Sequence, residues 1–144
     1  MTPHFQLFSH YPENGEFGDC DRTCIASLLD LPLEEVPHWG VHYNDPDKFN
    51  EEKDKFLSSQ GLKEVNILFG CTKEEVLGTM KNVNSGIYHI LTGESESGVN
   101  HAVICLNGEI VHDPSQDSAG IIGPCDDGHF WVSFYVPIQF TKEK

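Results

Sequence analysis

The chain has no run of about eighteen apolar residues, and its opening, MTPHFQLFSHYPEN, shows no basic segment followed by an apolar one. Neither a membrane span nor an export signal is predicted. Basic residues are scarce: nine Lys and Arg stand against 23 Asp and Glu, a formal net charge of −14. The acids are spread along the chain, so nucleic-acid backbones are repelled and no nucleic-acid partner is expected. The same balance suits a cationic partner, or mimicry of nucleic acid toward a protein that binds it, although an acidic solvated surface is its commoner meaning. The 144 residues contain no Pro/Gly/Ser-rich linker and no abrupt change of composition, which predicts one domain over residues 1–144. Cys20, Cys24, Cys71, Cys105 and Cys125 are odd in number and lack the paired short spacings of a zinc site. Free thiols in a reducing cytoplasm are expected, with no metal and no cofactor.

Hydrophobic residues make up only 38% of the chain, yet aromatics and recurrent apolar runs leave enough for a compact core. After the Gly/Asn/Glu-rich segment Glu13 to Gly18, Asp19 is positioned to cap a helix from Cys20 to Leu29, with Cys20, Cys24, Ile25, Leu28 and Leu29 on its broad apolar stripe. Pro32 ends it, and LPLEEVPHW reads as a short helical turn closed before Pro37. Phe49, Lys53, Phe56 and Leu57 recur at helical spacing within Asp47 to Gln60, which predicts a surface helix stopped at Gly61. Val65 to Phe69 reads as a short strand, and Thr72 as the cap of a helix ending near Asn82. The period then changes: GIYHILTG, VNHAVICL, EIVHDP and HFWVSFYVPI read as strands separated by turn residues. Helices first and strands later predict an α+β domain, an N-terminal helical half packed on a C-terminal antiparallel sheet.

A thiol is a useful nucleophile only as thiolate, which the positive end of a helix and a nearby imidazolium hold in the ionised state. Cys20 follows a Gly-Asp turn and opens an apolar helix, so its sulfur is expected at the amide-rich terminus and partly open to solvent. An isolated cysteine is more often a small core residue, and that is the reading for Cys24, one turn deeper, and for Cys71, Cys105 and Cys125. The segment NHAVICLNGEIVHDPS supplies a base, His101, and an orienting carboxylate, Asp113, provided the hairpin register permits. A two-residue Asn107-Gly108 loop pairs Leu106 with Glu109 and sends His101 and Asp113 to opposite faces. A three-residue loop with Gly108 left-handed pairs Cys105 with Glu109 and sets His101 directly opposite Asp113, on a face shared with Val103 and Val111. The second register is the one expected here. Taken singly, His101 reads as a core-edge histidine and Asp113-Pro114 as a strand-ending turn; their conjunction with Cys20 points to a Cys-His-Asp triad.

The stretch GDCDRTCIASLL resembles the nucleophile segment of the bacteriocin-processing (double-glycine leader) peptidases of the papain-like superfamily, with Cys20 at the attacking position. His101 leading an apolar run, and Asp113-Pro114 closing the next strand, match that family's later strand pair. The resemblance covers Asn14 to Leu29 and His101 to Pro114, about a fifth of the chain. It implies a papain-like fold and a cysteine hydrolase acting on a peptide or protein substrate. Where the superfamily has an oxyanion-holding glutamine, six residues before the nucleophile, this chain has Asn14, the same donor on a shorter stem. Bacteriocin-processing peptidases normally belong to longer transporter chains, so their leader-peptide substrate is not carried over; the compact form is more similar to small stand-alone papain-like proteins of bacteria and their phages.

The expected chemistry is therefore hydrolysis of a peptide, isopeptide or side-chain amide bond through a thioester. The principal rival is a catalytically inactive binding or inhibitor protein on the same scaffold, with an acidic surface; a metal-dependent hydrolase with His and Cys ligands ranks third. His112 is expected on the face opposite His101, in a structural or exposed role. His38, His42 and His129, among Trp39, Tyr43, Phe130 and Trp131, read as core or as a rim for a substrate side chain. The segments GESESGVN and SQDSAGIIGPCDDG, bracketing the base and orienter, are expected to be mobile loops.

Overall fold

A computed structural model describes residues 1–117 and 119–139. Helix α1 (Cys20–Leu28) is followed by 3-10 turns at Leu33–Glu35 and Trp39–His42, helix α2 (Pro46–Ser59), strand β1 (Leu62–Phe69) and helix α3 (Lys73–Val83). Strands β2 (His89–Glu94), β3 (Asn100–Leu106), β4 (Glu109–His112) and β5 (Phe130–Pro137) complete the domain. The fold is α+β, as the order of periodicities predicts, and no helix among the described residues is long and apolar enough to cross a membrane.

The helix ends follow local chemistry. Thr72 and Glu75 form a reciprocal capping box at α3, and the Asp45 carboxylate accepts from the Lys48 amide at the start of α2. Asp19 departs from expectation. It occupies the N-cap of α1 without capping it. Its carboxylate instead pairs with Arg22 at 2.9 Å and accepts the amides of Leu7 and Phe8 at 3.3 and 3.0 Å. A guanidinium one turn away and two amides from a neighbouring segment outcompete the helix's own N–H groups.

The five strands form one antiparallel sheet in the order β1-β5-β2-β3-β4. The last strand thus inserts between the first two, an arrangement that no local pattern encodes. Helices cover both faces, rather than one helical half covering a single face. Cys24, Ile25 and Ala26 of α1 and Leu57 of α2 pack on Ile90, Ala102 and Ile104; Val76 and Met80 of α3 pack on Leu91, Val103, Cys105 and Val132 on the reverse side. That double cover explains why β3 is buried at successive positions from His101 to Cys105 instead of alternating.

The β3–β4 hairpin corrects the expected register. Leu106 pairs with Glu109 across a two-residue turn whose central residues, Asn107 and Gly108, have φ of 55° and 80°, the left-handed pair of a type I′ turn. Cys105 pairs with Ile110 but Ile104 pairs with His112, so Val111 is an extra, bulged residue. The bulge reverses the parity of everything after it. Asp113 therefore returns to the side of His101, as its diagonal rather than its direct neighbour, while Val111 is left 42% exposed, off the face it was expected to share.

Candidate active site

Cys20 is the first residue of α1 and is half-buried, at the end where the amides of Cys20, Asp21 and Arg22 have no intrahelical acceptor. These amides, together with the helix dipole, favour negative charge on the sulfur or on an oxygen bound beside it. Asp21, the next residue, brings an opposing charge, which is taken up elsewhere: its carboxylate accepts from the Trp39 indole at 3.0 Å and pairs with Lys53 at 2.7 Å.

Lys53 is 7% exposed and also pairs with Glu64 at 2.6 Å, which in turn accepts from the Tyr135 hydroxyl at 2.8 Å. Burial disfavours the Lys53 ammonium, but the two carboxylates more than compensate and raise its pKa above the ordinary value. This chain of charges ties the start of α1 to α2, β1 and β5. Substituting Lys53 with alanine leaves two carboxylates facing one another and is expected to cost about 3–5 kcal/mol, measurable as a lowered midpoint in urea unfolding.

His101 stands near the beginning of β3 and is 5% exposed. Because β4 ends opposite Ile104, no strand among the described residues covers the β4 side of His101. The vacated flank is occupied by the segment after β4, and there His101 Nε2–H donates to Asp113 Oδ1 at 2.7 Å. Cys20 lies near enough to the imidazole to favour its protonated form, alongside Asp113. Burial alone lowers the pKa of His101; the hydrogen bonds to Asp113 and Cys20 and the charges of both outweigh it and raise the value to about 9. The structure thus brings Cys20, His101 and Asp113 together, from the start of a helix, the start of a strand and the end of a hairpin.

Asp113 is itself held by groups that sequence reasoning overlooked. Its Oδ1 accepts the amide and hydroxyl of Ser115 at 2.9 and 2.7 Å, and its Oδ2 the amide of Gly120 at 2.8 Å. Burial raises the pKa of Asp113, but these donors and His101 hold its carboxyl far below the usual range. The signal was present in Asp-Pro-Ser, since an aspartate accepting the amide two residues on is an Asx-turn. The segment expected to be a mobile loop is in this part a clamp: Ile121 is buried beneath it, and Gly123 bridges to Glu94. Likewise GESESGVN closes as a tight turn in which buried Ser95 donates to the Val99 carbonyl at 2.9 Å.

The remaining candidates fall elsewhere. Cys24 is fully buried, its thiol donating to the Ala102 carbonyl at 3.5 Å, and burial pushes its pKa well up. Burial also pushes Cys105 to about 12 and Cys125 to about 11, values at which a thiol is inert at neutral pH. Cys71 is exposed. His112 hydrogen-bonds the His4 carbonyl at 2.6 Å, remote in role from the triad. Asn14 ends a 3-10 turn at Pro12–Asn14, exposed, and its side-chain amide has no hydrogen-bond partner among the described residues. Among the described residues no group of three or more His, Cys, Asp or Glu side chains is placed to share a metal ion.

Comparison with known proteins adds no relative: no protein-family model matches the chain, and neither a curated protein nor a solved structure shows significant similarity to it.

Proposed function

We propose that the protein is a papain-like cysteine hydrolase, with Cys20 as nucleophile, His101 as acid and base, and Asp113 as the residue that orients His101. The observation that carries this reading is the Asp113–His101 hydrogen bond, with Cys20, at a helix N-terminus, near enough to the imidazole to favour its protonated form. In the cycle that follows, Cys20 thiolate attacks the carbonyl of an amide bond, forming a C–S bond and a tetrahedral oxyanion. The Cys20 backbone amide and the Asn14 side chain supply hydrogen bonds to that oxygen. Collapse breaks the C–N bond while the His101 imidazolium gives its proton to the leaving amine. Neutral His101 then takes a proton from water, whose oxygen attacks the thioester; the acid leaves, and proton and thiolate return to their starting places.

Alkylation by iodoacetamide at pH 6.5, followed by mass spectrometry of the peptides, tests the reading against that of an inactive binding protein. Cys71 serves as internal reference, because it is the more exposed thiol. Cys20 is expected to react at least about tenfold faster than Cys71 despite its poorer access, since reactivity follows thiolate content. Slower reaction at Cys20 than at Cys71 would favour a scaffold whose triad is only structural.

A further inference from the structure

The chain before α1 runs back along that helix. At the far end of α1 the Thr2 amide donates to the Ser27 carbonyl at 2.9 Å and the His4 amide to the Ser27 hydroxyl at 3.0 Å. At the near end the amides of Leu7 and Phe8 donate to the carboxylate of Asp19, the residue before Cys20. That carboxylate is a fixed anchor: Asp19 is 2% exposed, and the Arg22 guanidinium that pairs with it also donates to the Val36 carbonyl at 3.0 Å. Phe5 and Leu7 are 56% and 63% exposed, so hydrogen bonds rather than burial of these side chains hold the arm, residues 2–8, in place.

The other side of the arm meets the segment that carries Asp113. His112 Nε2–H donates to the His4 carbonyl at 2.6 Å, the Gln6 amide to the Pro114 carbonyl at 2.8 Å, and the Gln116 side-chain amide to the Gln6 carbonyl at 3.1 Å. Asp113 and Ser115, the alternate residues, bond instead to each other, to His101 and to the amides of Ala119 and Gly120. One side of segment 112–116 thus builds the triad and the other grips the arm. Among the described residues no hydrogen bond joins 112–116 directly to α1, so the arm is the hydrogen-bonded link between the orienter's segment and the nucleophile's helix. A catalytic group misplaced by about 1 Å can cost about 10²-fold in rate, which gives such a link a bearing on chemistry.

We propose that residues 6–8 are a positioning clasp: the amides of Gln6, Leu7 and Phe8 hold the Asp113 segment and the start of α1 in the relative placement that lets His101, oriented by Asp113, ionise Cys20. The inference rests on the catalytic reading of the triad and adds to it three positioning residues that act only through others. With the clasp open, α1 and segment 112–116 lose their common tether. Cys20 then reacts as an ordinary thiol, although sulfur, imidazole and carboxylate are all still present.

Leu7→Pro removes one of the two amides that Asp19 accepts, whereas Leu7→Ala keeps it and trims only an exposed side chain. Gln6→Pro and Gln6→Ala form the matching pair at Pro114. Each variant is alkylated with iodoacetamide at pH 6.5 and at pH 9.5, with Cys71 as reference and circular dichroism reporting the fold. Both proline variants are expected to lower the Cys20 to Cys71 rate ratio about tenfold at pH 6.5 and to leave it near the wild-type value at pH 9.5, where a thiol ionises unaided. Both alanine variants should match wild type. Folded proline variants that keep the wild-type ratio at pH 6.5 overturn the clasp and leave the catalytic reading standing. A ratio lowered equally at both pH values also overturns it, since that reports access rather than ionisation. Should the proline variants not fold, Gln116→Ala decides from an exposed residue: loss of its one hydrogen bond to the arm is expected to lower the ratio at pH 6.5 about threefold, and no drop overturns the clasp. A wild-type ratio below one overturns the catalytic reading, and this inference with it.

Discussion

Replacing Cys20 with alanine is expected to reduce amide hydrolysis by roughly 10⁵-fold or more, the scale on which losing a covalent nucleophile removes the whole acyl-transfer route. Cys20→Ser should fare little better, because a hydroxyl beside the same imidazole is far from ionised near neutral pH. Folding should survive both changes. The side chain is half-buried at the helix end, and α1 is anchored from deeper positions, Cys24, Ile25 and Ala26. Hydrolysis of a peptidyl aminomethylcoumarin, read beside the circular dichroism spectrum, separates loss of chemistry from loss of structure. Undiminished turnover in a folded Cys20→Ala protein would remove Cys20 from the mechanism.

Asp113→Asn is expected to lower turnover by about 10²–10⁴-fold, because the carboxylate fixes the tautomer and stabilises the imidazolium. The pH profile should also move. With the carboxylate present His101 keeps its proton up to about pH 9, which places the alkaline limit of amine protonation there. Without it, the burial that lowers the His101 pKa loses its strongest opponent, and the alkaline limb should shift toward 6.5 or below. Stability follows the same groups. The raised pKa of His101 contributes stability in full below about pH 6.5, lost as pH rises through 9; the lowered pKa of Asp113 contributes above about pH 3.8, lost as pH falls toward its folded-state value. The gap between thermal melts of wild type and Asp113→Asn should therefore narrow from pH 5 and 7 to pH 9.5 as the His101 contribution is lost, without closing, because Ser115 and Gly120 still stabilise the Asp113 carboxylate. An alkaline limb unmoved by the substitution would show that Asp113 does not tune His101.

The hairpin is the most instructive point of difference between pattern and structure. Asn107-Gly108 is the strongest short-range signal for a two-residue turn, and the two-residue turn is what forms. On an unbroken ladder that turn separates His101 from Asp113. The bulge at Val111 rejoins them, and nothing in EIVHDP distinguishes a bulged valine from a paired one. Lys53 teaches the same lesson by burial. At a helical spacing with Phe49, Phe56 and Leu57 it reads as part of a surface helix, yet Asp21 and Glu64, 32 residues before and 11 after it, draw it into the interior. The cradle of Asp113 was partly visible, since Ser115 follows in an Asx-turn, whereas Gly120 arrives from a loop that has no period at all.

Local order along the chain decided the kinds of element, their approximate ends and the residue types carrying chemistry, because propensity, capping and periodicity act over only a few positions. Folding decided the strand order, the helices on opposite faces of the sheet, the reversed parity after Val111 and the meeting of a sulfur with an imidazole 81 residues away. Those outcomes depend on which surfaces exclude water against one another and which charges find partners. Such pairings are made across space, between segments whose sequences carry no mark of each other.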